Sequence, residues 1–341
     1  MFGSDWLYGL PWRALRRARR ASVQVGLHRS ATRLVAARVR LDADTGYSVE
    51  QLEIVESQRD EQAVAQLLQR GILRDAHVIL VLGAEHYNTY PLPAPTVPQT
   101  ELREALRWKL REMLSYSPED AVIDFVHLAP AADSRAAESL LAVAALRRSV
   151  VQATAPFLEA GIDLQAVDIA EMAQRNVLVR LPGAEAGSAL LGIEESSALL
   201  TVVHQGALCL TRRIQIPRSL NVDDDDPEHV AARIATQVQR SLEVVERQSG
   251  LPPIRTVWIG PHPDCALIAR CAAEQTGLDC LQLDLQAEFR FATTVRELAP
   301  EQAPAVLIAI GAALRNEDAA AADRLAAKPA ALSWLPRLKA A

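Results

Sequence analysis

The chain has 341 residues, 50% of them hydrophobic, and a formal net charge of −6 at pH 7. This length and composition suffice for one large or two linked compact domains, and the acidic balance excludes nucleic-acid binding driven by overall charge. No apolar run reaches the roughly 18 residues that cross a bilayer, and the N-terminus lacks the order of a signal peptide. We therefore expect a cytoplasmic protein without a transmembrane anchor of its own.

Residues 1–21 form a leader that is both aromatic and basic. Aromatic rings favour the headgroup level of a membrane, and arginines contact anionic phosphates. The composition of the leader therefore predicts weak, reversible contact with a membrane. The alternative is that these N-terminal residues have no membrane role. The contact residues would be Trp6, Trp12, Arg13, Arg16, Arg17, Arg19 and Arg20.

The first half of the chain opens with the hairpin strands "SVQVGLH" and "ATRLVAARVRL" and a third strand over 47–57. The proline-rich segment "YPLPAPTVPQ" (90–99) predicts a connector. After it, apolar periodicity predicts a helix over 100–114, with Thr100 as its cap. The other predicted elements of this half are a helix over 60–73, strands over 76–83, 120–130 and 138–146, a helix over 147–161, and a strand followed by a helix over 164–181.

The second half repeats this plan, with three antiparallel strands over 188–217 followed by alternating helices and strands. Its long helix has Asp226 as N-cap, Pro227 at the first position and Gly250 as the stop. Two such halves indicate a duplicated α/β fold with a ligand cleft between them. The further predicted elements are strands over 254–262 and 279–285 and helices over 226–250, 264–277 and 304–315.

The four cysteines show no zinc-binding spacing, so we expect buried thiols in a reducing compartment. The helix over 100–114 carries an apolar stripe, whereas Trp108 lies on its opposite, charged face. Such a tryptophan needs a second packing surface. Two explanations stay open, namely contact with a neighbouring lobe and an anchor for a partner peptide or subunit.

Four segments, taken in chain order, resemble the actin-like proteins of type IV pilus assembly, which are the PilM group. Within that group the sequence resembles the MshI type of the mannose-sensitive haemagglutinin (MSHA) pilus. The resemblance covers about residues 22–315 and implies an α/β, two-lobed actin-like fold (ribonuclease H-like, FtsA/PilM type ATPase) with an inserted subdomain. The segments are "ELREALRWKLREMLSYSPEDAVIDF" (101–125), "AVDIAEMAQRNVL" (166–178), "VQRSLEVVERQSG" (238–250) and "AIGAALR" (309–315). The implied domains are a leader over 1–21, a first lobe over 22–181 with an insert over about 95–146, a second lobe over 182–315 and an Ala-rich tail over 316–341.

Active members of that group bind ATP through three turns, and each turn departs from the pattern here. His28 stands where the first turn has a magnesium-directing aspartate, and Mg²⁺ prefers oxygen ligands. Glu194 and Glu195 place two carboxylates in the second turn, and Pro261 removes an N–H from the third. The degenerate nucleotide turns comprise Gly26, His28, Ser30, Gly192, Glu194, Ser196 and Gly260. We therefore expect a degenerate ATPase without catalytic residues, metal or cofactor, and a surface turn position for His28.

The resemblance implies a scaffold at the cytoplasmic face of the inner membrane. It would bind a cytoplasmic peptide of a bitopic membrane protein of the PilN or MshJ type, beside other pilus assembly platform proteins. The expected partner-binding residues are Leu102, Leu106, Trp108, Met113 and Tyr116. The alternatives are an active, ATP- and Mg²⁺-dependent actin-fold ATPase and a GspL-like scaffold of a type II secretion system, a class that carries its own transmembrane helix.

Overall fold

The computed structural model places most of the chain between the leader and the tail. It describes residues 22–30, 32–42, 46–129, 138–194, 197–216, 226–249, 253–293, 295 and 298–315. The strands are β1 (Ser22–Arg29), β2 (Arg33–Asp42), β3 (Gly46–Glu56), β4 (His77–Val81), β5 (Tyr87–Pro93), β6 (Ala121–His127), β7 (Ser139–Leu146), β8 (Leu164–Asp168), β9 (Ser188–Ile193), β10 (Ser197–His204), β11 (Ala207–Gln215), β12 (Thr256–Ile259), β13 (Asp279–Gln282) and β14 (Arg290–Phe291). The helices are α1 (Asp60–Arg70), α2 (Leu102–Leu110), α3 (Arg147–Glu159), α4 (Ala170–Leu178), α5 (Pro227–Ser249), α6 (Cys265–Thr276), α7 (Leu285–Glu288) and α8 (Ala303–Ala313).

Two sheets repeat one topology. The first has the strand order β14-β3-β2-β1-β4-β8, and the second has the order β11-β10-β9-β12-β13. In each, three consecutive strands form an antiparallel meander. A later strand pairs in parallel with the first strand of the meander, and another pairs in parallel with that added strand. This repeat, set in two lobes, is the duplicated α/β plan that the sequence predicts.

Two helices cross between the lobes. Helix α4 follows β8 of the first lobe but packs on β9 and β10 of the second, while α8 returns to pack on β1, β2 and β4. The crossing is tight because a Cβ on Gly311 would lie 2.1 Å from the carbonyl oxygen of Ala173. The Asn176 amide donates to the Gly311 carbonyl at 3.0 Å. The largest buried cluster spans both sheets through these helices, so the lobes share one core.

A glycine of the first strand serves this packing. A Cβ on Gly26 would lie 2.0 Å from the Ala309 carbonyl oxygen and 2.8 Å from the Ala312 Cβ. Only glycine lets α8 approach β1 so closely. The position that matches a phosphate-loop glycine in sequence therefore has a packing role in the structure.

The insert is a three-stranded antiparallel sheet of order β5-β7-β6 covered by α2. It begins at Tyr87, earlier than the start near residue 95 expected from the sequence. The connector prediction over 90–99 was wrong for its first part, because residues 90–93 belong to β5. Pro91 and Pro93 are tolerated there because β5 is an edge strand, where a missing N–H breaks no ladder.

The structure confirms one predicted helix N-cap and contradicts another. Asp226 caps α5, since its carboxylate accepts the Glu228 N–H at 3.2 Å, as predicted. Thr100 does not cap α2, because it lies inside a 3-10 turn, Gln99–Glu101, that runs directly into the helix. The Gly250 stop lies outside the described residues.

Candidate functional site

The cleft between the lobes brings two of the predicted nucleotide turns face to face. His28 is the penultimate residue of β1 in the first lobe, and Glu194 follows β9 of the second. Their side chains approach within 3.9 Å, from His28 Nε2 to Glu194 Oε1. The topology thus places a histidine and a carboxylate, one from each lobe, at the position where the family resemblance implies phosphate and magnesium.

His28 is buried, so the expected surface position was wrong. It is only 6% exposed, and burial lowers its pKa from 6.5 to about 4. Its Nδ1 atom is buried without a hydrogen-bond partner among the described residues. The imidazole is therefore neutral near pH 7, and removing it from water is what keeps it so.

The first turn closes on itself. The Ser30 backbone N–H donates to the Arg33 carbonyl at 2.9 Å, and the Ser30 hydroxyl points to the same carbonyl at 3.4 Å. A phosphate-binding loop needs such amides free and converging on the anion. Ser30 is accordingly engaged in the turn, and Gly26 in the packing of α8.

The second turn is closed in the same way, because the Glu194 N–H donates to the Ser197 carbonyl at 2.8 Å. Behind it, a Cβ on Gly192 would lie 2.7 Å from Gln174 Oε1. Gln174 itself donates to the carbonyls of Leu190 and Leu199 at 2.6 and 2.8 Å. Glu195 and Ser196 lie outside the described residues.

The third turn offers a proline where an amide would be needed. The Gly260 N–H donates to the Leu191 carbonyl at 2.8 Å, and Pro261 has no N–H. His262 accepts the Asp264 N–H at 3.1 Å, and burial lowers the pKa of this histidine. The N–H groups of Gly260 and Asp264 are thus also committed.

A small cavity lies where the second turn and the third turn meet α8. The cavity that Gln174, Glu194, Arg213 and Pro304 help to line has a volume of about 10 Å³, which is room for about one water molecule. The three turns fit a magnesium nucleotide poorly. The N–H groups of Ser30, Glu194 and Gly260 are bonded to carbonyls of the chain, the first turn presents a neutral imidazole, and the second presents a carboxylate. In the parts of the chain that the structure describes, no cluster of three metal-ligating side chains occurs.

The insert separates the predicted partner-binding residues into two groups. Leu102 and Leu106 are 4% and 0% exposed in the core of the insert, which rules out direct partner contact. Their assignment was wrong because the apolar stripe of α2 covers the insert's own sheet. Tyr116 is half-buried against this core, and its hydroxyl has no hydrogen-bond partner among the described residues.

Trp108 and Met113 are the exposed members of the predicted set, at 66% and 49%. The Arg111 guanidinium lies 5.9 Å from the centre of the Trp108 ring. An exposure of this size leaves contact with a neighbouring lobe unsupported. We call Trp108, Arg111 and Met113 the α2 surface.

Several predicted functional residues lie outside the part of the chain that the structure describes. The proposed membrane contacts Trp6, Trp12, Arg13, Arg16, Arg17, Arg19 and Arg20 lie outside the described residues, as does the tail over 316–341. Among the residues that are described, no helix is long and apolar enough to cross a bilayer. The cysteines there form no disulfide, and Cys271 is buried while the other three are half-buried.

Sequence reasoning missed a buried polar cluster where the insert meets the second lobe. Tyr87, Glu171 and Arg213 hydrogen-bond to one another there. The three residues are far apart in the sequence, so no local pattern predicts that they meet. The one sequence feature that indicates a buried polar contact is a glutamate in the otherwise apolar first turn of α4.

Comparison with known proteins supports the fold. No family profile matches the sequence, and no curated protein matches it. Among solved structures, a chain of the PilM–PilN type IV pilus biogenesis complex is similar, with a TM-score of 0.66 and 19% identity over 86% of this chain and 98% of that one.

Two further solved structures are similar at lower scores. One is the cytoplasmic domain of EpsL, an inner membrane component of the type II secretion system of Vibrio cholerae, with a TM-score of 0.46 and 13% identity over 86% of this chain and 95% of that one. The other is a Bacteroides thetaiotaomicron protein with an actin-like ATPase fold, with a TM-score of 0.45 and 7% identity over 79% of this chain and 92% of that one. The similarity to the PilM–PilN complex chain, at a TM-score of 0.66, and the three sheets that the described residues form confirm the predicted two-lobed actin-like fold with an insert.

Proposed function

We propose that this chain is a non-catalytic, actin-like scaffold of a type IV pilus assembly platform of the MSHA type. Its partner would be the cytoplasmic peptide of a bitopic inner-membrane protein of the PilN or MshJ type. This would place the chain at the cytoplasmic face of the inner membrane, beside other platform proteins. The similar structure that supports the proposal is a complex of PilM with PilN.

The α2 surface is the observation that carries the binding role. Trp108 is 66% exposed on a helix whose other face is fully used by the insert's core. A large exposed aromatic ring beside an arginine has the composition of an interface anchor, since tryptophan and arginine are enriched among residues that dominate binding energy. A second large apolar side chain, Met113, is exposed three residues beyond the end of α2.

The closed cleft supports the non-catalytic part of the proposal. His28 and Glu194 face each other at 3.9 Å, and the amides of Ser30 and Glu194 are bonded within their own turns. A nucleotide would have to displace these contacts and pay for a carboxylate beside its phosphates. The scaffold role needs none of this chemistry, so we propose that the chain works without ATP, Mg²⁺ or another cofactor.

Co-purification tests the proposal. The full chain is expressed with a PilN-type membrane protein, membranes are solubilised in detergent, and the chain is captured. We expect the membrane protein to be retained, and a version lacking its cytoplasmic segment to be lost. Equal retention of both versions, or of neither, would reject the proposed partner.

A further inference from the structure

Three side chains from three elements meet where the insert joins the body of the protein. Tyr87 is the first residue of β5, Glu171 lies in the first turn of α4, and Arg213 lies on β11. The Tyr87 hydroxyl donates to Glu171 Oε2 at 2.5 Å. It accepts from Arg213 Nη2 at 3.0 Å and from the Ala170 N–H at 3.3 Å. We call these three side chains the root cluster.

Two members of the root cluster are buried, and the half-buried Arg213 pairs with both of them. Tyr87 is 5% exposed and Glu171 is 2% exposed. Arg213 Nη2 lies 2.9 Å from Glu171 Oε1, which pairs the buried carboxylate. Burial and the neighbouring Glu171 carboxylate raise the pKa of Tyr87 well above its ordinary value, so its hydroxyl remains a donor. A group buried this deeply is costly to leave without its partners.

The cluster joins two parts of the molecule that are otherwise distinct. Glu171 and Arg213 belong to the second lobe, because α4 packs on β9 and β10 of that lobe. Tyr87 belongs to the insert. The insert also touches the second lobe at its far end, where the Ala129 N–H donates to the Leu208 carbonyl at 2.6 Å. The insert therefore bridges to the second lobe at its root and at the end of β6.

We propose that Tyr87, Glu171 and Arg213 are positioning residues that hold the insert against the second lobe and thereby fix the orientation of the α2 surface. Through this junction, the packing of the insert on the second lobe and the occupation of the α2 surface are coupled. The second statement rests on the proposed function, whereas the first concerns the chain alone. Neither role depends on a nucleotide in the cleft.

Hydrogen exchange of the full chain tests the junction. Tyr87→Phe removes one hydroxyl and keeps the ring that packs between the insert and the first lobe. We expect the Ala129 amide to exchange at least about tenfold faster, which corresponds to about 1.4 kcal/mol, because the insert separates from the second lobe. Tyr90→Phe is the matched control on the same strand, since its hydroxyl makes only a 3.4 Å contact with the Met113 carbonyl. It should leave Ala129 unchanged.

Two results would overturn the positioning role. One is an Ala129 exchange rate in Tyr87→Phe that equals the rate in Tyr90→Phe. The other is equal acceleration of every core amide, including those of β1, which would make the cluster an element of global stability. Arg213→Gln, compared with Arg212→Gln, repeats the test by removing a charge. Arg212 is the control because it points to Ser241 and Gln237 of α5.

Titration with a synthetic cytoplasmic segment of the PilN-type protein tests the coupling. We expect Tyr87→Phe to weaken binding about tenfold and Arg212→Gln to leave it unchanged. Faster exchange at Ala129 with unchanged affinity would overturn the coupling. An intact protein that binds no such segment would reject the proposed function, while the exchange result would still decide whether the root cluster holds the insert.

Discussion

Replacing Trp108 with alanine separates binding from folding on a single helix. About two thirds of this side chain is free in the structure, where it is 66% exposed. The surface of a tryptophan side chain is about 250 Å², so a partner that covered the exposed two thirds would bury about 165 Å². At about 25 cal/mol/Å², this burial contributes at most about 4 kcal/mol to the binding free energy. Ordering costs reduce this figure, so we expect Trp108→Ala to weaken partner binding by about 2 kcal/mol, the scale of an interface hot spot.

The same helix supplies the control. Leu106 lies two residues earlier, is 0% exposed and packs in the insert's core. Leu106→Ala should lower the free energy of unfolding by about 2–5 kcal/mol, whereas Trp108→Ala should change it by less than about 1 kcal/mol. Chemical denaturation and calorimetric titration with the partner segment measure the two quantities. Trp108 is a core residue and not a binding residue if Trp108→Ala destabilises the chain as Leu106→Ala does while the folded fraction binds with unchanged affinity.

Three further predictions concern other parts of the chain. Gly26→Ala should cost at least about 1–3 kcal/mol in denaturation, because its methyl group would lie 2.0 Å from the Ala309 oxygen; an unchanged midpoint would contradict the packing role. Burial lowers the pKa of His28 from 6.5 to about 4. Between these two pH values the unfolded chain binds a proton at His28 that the folded chain does not, so the free energy of unfolding falls as the pH is lowered from 6.5 to about 4. The loss attributable to His28 is about 3 kcal/mol, and His28→Gln should show a correspondingly shallower decline between pH 7 and pH 4; parallel curves would contradict the assignment. Deleting residues 1–20 should abolish salt-sensitive sedimentation with anionic liposomes; equal binding by the truncated chain, or none by the intact one, would leave the partner as the membrane tether.

Most of the fold could be predicted from local patterns. The three-strand meanders show period-2 or continuous apolar runs, and α5 shows a cap, a proline and a long apolar stripe. The repeat of these patterns indicated two similar lobes, which the two sheets have. Residues 90–93 escaped prediction because prolines are read as breakers, and the exception for an edge strand depends on the sheet around it.

The candidate site was less predictable, because its features depend on contacts between distant parts of the chain. The burial of His28 follows from closure of the cleft, which brings Glu194 of the other lobe to 3.9 Å. The role of Gly26 depends on Ala309 in α8. The stripe of α2 correctly predicted a buried face, but periodicity alone could not show whether a partner or the insert's own sheet covers Leu102 and Leu106.

Calorimetric titration of the full chain with ATP and Mg²⁺, alone and then with the PilN-type segment bound, tests whether the chain works without nucleotide. The closed turns predict no nucleotide binding tighter than about 1 mM, equivalent to about −4 kcal/mol, and the same affinity for the segment with and without nucleotide. A dissociation constant for ATP of a few micromolar, or an affinity for the segment that changes with ATP, would contradict the account of a scaffold that works without nucleotide.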